Sequence, residues 1–251
     1  MNKVIAAIDN SSAWPPVLAM ARAVATALGA SVEVLHVLED DDDIAGPLAQ
    51  AVGVTVRTLS GDPVELLPLA AAEKDVVAVV LGTRGRPGRP RPARHLAMTL
   101  AGQTDKPVVV VPPGAHPPVR LHTAVVAMKG TSAKARALQR CIELSTRAGL
   151  EIVVVHVHDE NDIPSFSDQV QHETEAYAQE FFARHLIGAP KTRLELRIGV
   201  PAVEVLDAVK SAHAELVAVG WSHTDDPNRG AVARAILDRS PVPILLVAVT
   251  T

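Results

Sequence analysis

Residues 61–82 read GDPVELLPLAAAEKDVVAVVLG, and residues 199–220 read GVPAVEVLDAVKSAHAELVAVG. Both segments open Gly-x-Pro, continue in a helical pattern and close with a short apolar run that contains or ends in glycine. A second pair of segments, Val32–Val37 and Ile152–Val157, is related by 120 residues (32 to 152) instead of 138 (61 to 199). The chain therefore contains one unit twice, and the second copy carries an insertion of 18 residues between these two landmarks.

The length of the chain fits two domains of ordinary size. At 251 residues, each half is long enough to bury a hydrophobic core of its own. The proline-rich stretch Pro112–Pro118 has the composition of a stiff linker and is the natural boundary. We predict a first domain at residues 1–114 and a second domain at residues 119–251.

Composition excludes several classes of protein. Hydrophobic residues make up 48% of the chain and aromatic residues 2%, so the cores must be built from valine, leucine, isoleucine and alanine. The net charge of -4 gives no general attraction to nucleic acid or to an anionic membrane. Cys141 is the only cysteine, which excludes an internal disulfide, and we expect it to be a buried small side chain. The sequence shows neither a signal-peptide pattern nor a membrane-length apolar run, which predicts a cytoplasmic protein.

Short apolar runs alternate with helical patterns along the first copy. Val4–Ile8 is a continuous apolar run, typical of a strand that is buried on both faces of a parallel sheet. Further strands are predicted at Val32–Val37, Val54–Leu59, Val76–Leu81 and Val108–Val111. Helices are predicted from Pro15 to about Leu28, at Val64–Glu73 and near Leu96–Gly102. This order of elements predicts a doubly wound parallel sheet in each copy, an α/β fold.

The two copies differ between their second and third strands. The second copy, from Ala124–Met128 to Ile244–Val249, carries the insertion there, and Ser165–His185 predicts a full amphipathic helix. The first copy has only Pro47–Val52 in that place. We expect its second crossover to be truncated, which would leave apolar surface that a homodimer could cover.

The ends of both copies resemble a known family. Residues 79–85 (VVLGTRG), a basic loop, a short helix and residues 105–111 (DKPVVVV) resemble the end of a universal stress protein domain. Residues 217–220 (VAVG) and 240–247 (SPVPILLV) resemble the same region, and residues 4–12 (VIAAIDNSS) resemble the family's first strand and turn. The resemblance covers the whole chain as a tandem pair.

This resemblance implies a fold and a way of joining the copies. Each copy would be an adenine nucleotide alpha hydrolase-like domain. Domains of this family pair through their last strands, so Val108–Val111 and Ile244–Val247 should lie antiparallel within one chain. This pairing would also cover two apolar sheet edges.

The resemblance further implies a candidate nucleotide site. Nucleotide-binding members hold ATP with Gly-x-x-Gly, a spacer and Gly-Ser or Gly-Thr, because glycines and a helix amino terminus let backbone amides approach phosphates. An acidic residue after the first strand and backbone near the end of the second strand hold the nucleoside. By this resemblance the ligand is ATP or AMP, and the binding residues are Asp9, Val37, Gly82, Arg84, Gly85, Arg86, Arg94 and His95.

Both copies depart from the family's phosphate motif. In the first copy, Arg94-His95 stands where Gly-Ser is expected. In the second copy Lys129 replaces the acid, the segment Gly220–His223 lacks the second glycine, and Gly230-Ala231 replaces Gly-Ser. We therefore expect any bound nucleotide to occupy the first copy.

The loop Arg84–Arg94 carries five arginines and allows three interpretations. The arginines could grip phosphate in place of the missing glycines. The sequence Arg84-Gly-Arg-Pro87 also matches the core of a motif that contacts the minor groove of DNA. The third interpretation is a solvated loop, which the frequency of such charge runs favours.

Three other features have two interpretations each. The run Glu39–Asp43 could ligate a divalent cation, but such runs are more often solvated loops. His36 and His156 occupy matching strand positions and are expected to pack or to form hydrogen bonds rather than to catalyse. Trp14 and Trp221 follow strand ends, where stacking on a base competes with the favoured alternative of core packing.

No catalytic constellation is apparent in the sequence. It has no nucleophile elbow, no Gly-x-x-x-x-Gly-Lys-Ser/Thr loop and no histidine pair of a metal hydrolase. We predict a non-enzymatic stress-response or regulatory module with degenerate nucleotide sites, an unidentified protein partner and no metal. The alternatives are an ATP-binding, slowly hydrolysing switch that uses the first domain, and the less favoured DNA contact through residues 84–94.

Overall fold

The computed structural model describes residues 1–9, 14–38, 56–82, 93–128, 132–158, 191–221 and 230–248. The first half contains the elements β1 (Lys3–Ala7), α1 (Trp14–Leu28), β2 (Ser31–Leu38), β3 (Val56–Ser60), α2 (Pro63–Ala71), β4 (Val76–Gly82), α3 (Ala93–Gln103) and β5 (Val108–Val111). The second half contains β6 (Thr123–Met128), α4 (Ser132–Arg147), β7 (Glu151–His158), β8 (Thr192–Ile198), α5 (Pro201–Ser211), β9 (Leu216–Trp221), α6 (Ala231–Arg239) and β10 (Ile244–Ala248).

All of these strands belong to one ten-stranded sheet in the order β3-β2-β1-β4-β5-β10-β9-β6-β7-β8. The order 3-2-1-4-5 of the first half is repeated in the second half as 8-7-6-9-10, so the two halves are related by a pseudo-twofold axis. Neighbouring strands within each half are parallel. The predicted α/β class and the doubly wound parallel sheet in each copy are confirmed.

The two halves join through their last strands. β5 and β10 are antiparallel, with Ile244 opposite Val110, Leu245 opposite Val109 and Leu246 opposite Val108. All residues of β5 are buried, as are the paired residues of β10. The join that the resemblance implied is therefore confirmed, and it removes two apolar edges from solvent.

Helices cover both faces of the sheet. α1 and α4 pack on one face, where Met20 and Ala21 of α1 belong to the same buried cluster as Val126 and Ile152 of the second half. The other four described helices pack on the opposite face, where Leu100 and Ile236 are buried, among others. Burying an aliphatic side chain of this size contributes about 1.5–3 kcal/mol, so these two layers supply the main stabilisation. Cys141 is 1% exposed, as predicted.

The repeated Gly-x-Pro opening produces the same local structure in both copies. Gly61 and Gly199 both have φ of 141°, a value that side chains disfavour. Pro63 and Pro201 then begin α2 and α5, at the helix position where proline costs no hydrogen bond. Only the first copy adds a side-chain cap, from Val64 N to Asp62 Oδ1 at 2.9 Å.

Some element boundaries differ from the sequence-based expectation. α2 ends at Ala71 rather than at Glu73, because the amide of Glu73 donates to Ala70 O at 3.3 Å, an i→i−3 bond, and no longer follows the i→i−4 pattern of an α-helix. α3 begins at Ala93, three residues before the predicted start. The predicted helix Ser165–His185, the short segment Pro47–Val52 and the acidic run Glu39–Asp43 lie outside the described residues. The truncated crossover and the domain limits 1–114 and 119–251 therefore stay predictions.

Candidate functional site

The carboxyl ends of β1, β2 and β4 meet at one edge of the first half. Ala7 of β1 pairs with Leu35 of β2 on one side and with Leu81 of β4 on the other. β2 and β3 lie on one side of β1 in the sheet, and β4 and β5 lie on the other side. The direction in which the chain adds strands to the sheet therefore reverses beside β1. Such a reversal creates a crevice where α/β sheets bind ligands. This edge is the candidate site of the first half.

Three of the predicted site residues lie at this edge. Asp9 follows β1, Val37 lies near the end of β2, and Gly82 is the last residue of β4. Each of the three is half-buried. The edge thus brings together a carboxylate, strand backbone and a glycine, which are the groups that the resemblance assigns to a nucleoside and its phosphates.

His36 holds the backbone immediately before Asp9. Its Nδ1 lies 2.9 Å from the carbonyl oxygen of Ile8, and because a carbonyl can only accept, Nδ1 carries the proton of this bond. The amide of Ile8 donates in turn to Leu35 O at 3.0 Å. His36 is 1% exposed, so this contact is shielded from water. The expectation of packing or hydrogen bonding is confirmed for His36, but its link to the candidate site was not visible in the sequence.

The arginine-rich part of the predicted site is described only in part. Arg84, Gly85 and Arg86 lie outside the described residues. Arg94 lies in the first turn of α3, but its side chain is not among those described, and His95 beside it is exposed. The contribution of these residues to the site stays a prediction.

The matching edge of the second half is built differently. β9 ends with Gly220, which is exposed, and Trp221, which is 6% exposed and belongs to the buried cluster on the α5 and α6 face. Lys129, which replaces the acid, and His223 lie outside the described residues. The prediction that Trp221 packs in the core is confirmed.

The indole of Trp221 lies over the start of α6. Gly230 caps this helix with φ of 87° and without a side-chain hydrogen bond. A Cβ atom on Gly230 would lie 2.7 Å from Cζ3 and 3.3 Å from Cη2 of Trp221. Carbon atoms do not approach that closely without a shift, so only glycine fits here. The ring thus lies against Gly230, which with Ala231 stands where the family's Gly-Ser element would begin its helix.

An ion-pair network lies at the opposite edge of the first half, at the amino ends of the strands. Lys3 Nζ contacts Glu73 at 2.7 Å and Glu33 at 3.1 Å, and Arg57 bridges the same two carboxylates at 2.7 and 3.2 Å. The hydrogen bonds from Lys3 and then Arg57 lower the pKa of Glu73, and those from Glu73 raise the pKa of Lys3. The network joins the starts of three strands and is structural rather than part of the site.

An apolar groove of about 430 Å³, its open mouth included, lies between α1 and α4 on the pseudo-twofold axis. Its lining includes Leu28, Leu144 and Leu150, and Ser145 is the one polar residue among the described side chains that line it. Pro107 and Leu121, which precede strands, place it toward the amino edge of the sheet. Among the described residues, the groove therefore offers no charged group for a nucleotide, and it lies away from the carboxyl ends of the strands.

Within the ranges that the structure describes, no cluster of three or more His, Cys, Asp or Glu side chains is arranged to hold a metal ion. None of the described helices combines the length and the apolar character needed to cross a membrane.

Comparisons with known proteins also find one kind of domain twice in the chain. The model of the universal stress protein family matches residues 45–112 and again residues 121–248. A universal stress protein from Archaeoglobus fulgidus DSM 4304 is similar in structure, with a TM-score of 0.67, 16% identity and 99% of both chains covered. A functionally unknown protein from Pseudomonas aeruginosa PAO1 has a TM-score of 0.71 at 13% identity, with 99% of this chain and 92% of that chain covered. A search of curated protein sequences finds no significant match.

Proposed function

This chain belongs to the universal stress protein family, and we propose that it is a non-enzymatic stress-response module whose first half provides its nucleotide cleft. The family is matched in both halves, and both halves depart from the family's phosphate motif. A module with degenerate sites signals through what it binds and contacts rather than through turnover. Its partner would be a protein, and a homodimer and a cytoplasmic location belong to the same proposal.

The observation that carries this proposal is the convergence of Asp9, Val37 and Gly82 beside the reversal in strand order. In the proposed complex, Asp9 accepts hydrogen bonds from the ribose hydroxyls, and backbone near Val37 contacts the base. Gly82 leaves room for phosphate to approach the backbone of β4. Arg84, Gly85, Arg86, Arg94 and His95 would complete the phosphate end, with ATP or AMP as the ligand.

The absence of catalytic motifs supports a binding module rather than an enzyme. Slow hydrolysis of ATP would require a positioned water and a group that removes its proton. The sequence provides neither a Gly-x-x-x-x-Gly-Lys-Ser/Thr loop nor a Gly-Ser element after the first copy's glycines. The alternative of a slowly hydrolysing switch rests on the retained Asp9 and Gly82. DNA contact through residues 84–94 is the least favoured alternative, because the chain is acidic overall.

Two measurements on purified protein test the proposal. Mass spectrometry after denaturation reports any adenine nucleotide carried through purification, and calorimetry with ATP, AMP and cyclic AMP reports affinity and stoichiometry. We expect one nucleotide per chain, lost in Gly82→Val and retained in the matched second-half variant Gly220→Val. Loss in Gly220→Val instead would show that the wrong half was chosen.

A measurement of ATP hydrolysis distinguishes the proposed non-enzymatic module from the slowly hydrolysing switch. We expect the wild-type protein to release no more phosphate from ATP than the Asp9→Ala variant does. Release that is abolished by Asp9→Ala and by Gly82→Val would favour the switch. Absence of any bound nucleotide would leave a module that acts through protein contacts alone.

A further inference from the structure

The second half carries a bulky side chain at the place where its cleft would receive phosphate. Trp221 is the last residue of β9 and pairs with Ala248 of β10, so its backbone is held in the sheet. In the aligned sequence it follows Gly220 as Thr83 follows Gly82 in the first half. The aligned sequence position therefore carries a threonine in one copy and the largest side chain in the other.

The ring is tightly packed against the helix that would bind phosphate. The ideal Cβ position of Gly230 lies 2.7 Å from Cζ3 of Trp221, and Gly230 is the residue before the first turn of α6. α6 runs from Ala231 to Arg239, long enough for its amino end to attract an anion. The indole therefore lies against the residue that caps this amino end.

Packing against apolar neighbours holds the indole of Trp221 in place. Trp221 is 6% exposed, and its Nε1 has no hydrogen-bond partner among the residues that the structure describes. A buried N–H group without a partner is unfavourable, so the surrounding apolar contacts must compensate for it. A side chain held in this way does not move aside easily for a ligand.

We propose that Trp221, seated on Gly230, occupies the phosphate end of the second-half cleft and prevents this half from binding a nucleotide. The inference deepens the proposed function, on which it rests for the class of ligand, an adenine nucleotide. Trp221 thus adds a steric block to the changes in the nucleotide-binding motif that the second copy already carries. Its removal uncovers the amino end of α6 together with the exposed backbone of Gly220.

The first test removes Trp221 in a chain whose first cleft has been closed. Gly82→Val serves as the background, and ATP binding is measured by calorimetry. We expect Trp221→Ala in this background to bind ATP at least roughly tenfold more tightly than Gly82→Val alone. The matched control is Leu237→Ala in the same background, because Leu237 is a buried residue of α6 that does not face the cleft; we expect it to bring no gain.

Folding of each variant is checked by circular dichroism and thermal melting, and Trp221→Leu replaces Trp221→Ala if the latter is unfolded. No gain in a folded Trp221 variant, or an equal gain in the Leu237 variant, would overturn the inference. Because the first cleft is closed in every arm, the outcome does not depend on whether the wild-type first half binds nucleotide. Wild-type binding, measured separately, decides the proposed function.

The second test uses Trp221 as its own reporter. The chain contains two tryptophans, so Trp14→Phe leaves Trp221 as the single indole. We expect its emission to be that of a buried ring, protected from acrylamide and unchanged by ATP. Ready quenching by acrylamide, or a spectral change with ATP, would show that the ring does not close the cleft. Gly230→Ala should shift the emission to longer wavelength, because the added methyl group displaces the ring.

Discussion

The two halves of this chain have the same strand order, but the residues at the carboxyl ends of their strands differ. In the first half, Asp9 and Gly82 are half-buried at the crevice beside β1, and His36 holds the backbone before Asp9. In the second half, Trp221 is packed against Gly230. The sheet order, the parallel registers and the Gly-x-Pro helix starts are nevertheless shared. A duplicated fold can therefore be retained while one side chain removes the space that a ligand needs.

The largest expected effect comes from a substitution in the β5–β10 pairing that joins the two halves. Leu246 is fully buried opposite Val108 at the β5–β10 join, so Leu246→Asp places an unpaired charge between the halves. We expect a loss of about 4 kcal/mol in the free energy of unfolding, measured by urea denaturation. The control Val119→Asp, at a residue that is 89% exposed, should change it by less than about 0.5 kcal/mol. Equal effects of the two substitutions would show that the join contributes little.

A smaller effect is expected from the loss of His36, which holds the backbone beside the candidate site of the first half. His36→Ala removes the bond to Ile8 and leaves a cavity, which we expect to cost about 2–3 kcal/mol of stability. It should also weaken nucleotide binding by the first half, because the backbone before Asp9 is no longer held. Denaturation and calorimetry measure the two effects, and the exposed His116 provides a control as His116→Ala. A destabilised variant with wild-type affinity would separate His36 from the site.

The shared helix starts predict equal responses in the two halves. Gly61 and Gly199 have the same φ of 141°, so Gly61→Ala and Gly199→Ala should each cost about 1–2 kcal/mol. The added methyl group would contact Leu66 at 3.2 Å in the first half and Glu204 at 3.0 Å in the second. Thermal melting of both variants, with the exposed Ser60→Ala as control, measures this equivalence. A large effect in only one half would mean that the repeats differ in structure where they match in sequence.

The smallest expected effect depends on pH and belongs to the first half. Lys3 and Arg57 lower the pKa of Glu73 from its usual 4.5, so folding favours its ionised form. The resulting stability is complete above about pH 4.5 and is lost as the pH falls through the lowered pKa of the folded protein. Because these groups are partly solvated, we expect about 0.5–1 kcal/mol. Glu73→Gln should remove this acid-dependent loss in a denaturation series, whereas Asp207→Asn, at an exposed pair on α5, should retain it.

Most of the architecture could be predicted because its signals are local or repeated. The apolar run of β5 and the Gly-x-Pro openings each show a pattern within a few neighbouring residues. Helix ends were placed less well, since α2 ends two residues early in a tightened turn, where the amide of Glu73 donates to Ala70 O. The site was predicted as a position at strand ends, where Asp9, Val37 and Gly82 lie, while their roles and that of the arginine-rich loop stay predictions.

The sequence by itself determined the duplication and the alternating strands and helices, because strand and helix periodicity is visible in adjacent residues. The join through the last strands was implied by the resemblance to universal stress proteins. Tertiary structure alone decided which side chains meet: His36 with Ile8 across 28 residues, Lys3 with Glu73 across 70, and Trp221 with the start of α6. These contacts depend on the register of the strands and on how the helices pack against them. A register shift of one residue would turn each strand side chain to the other face of the sheet, so no local pattern could specify that the indole of Trp221 lies against Gly230.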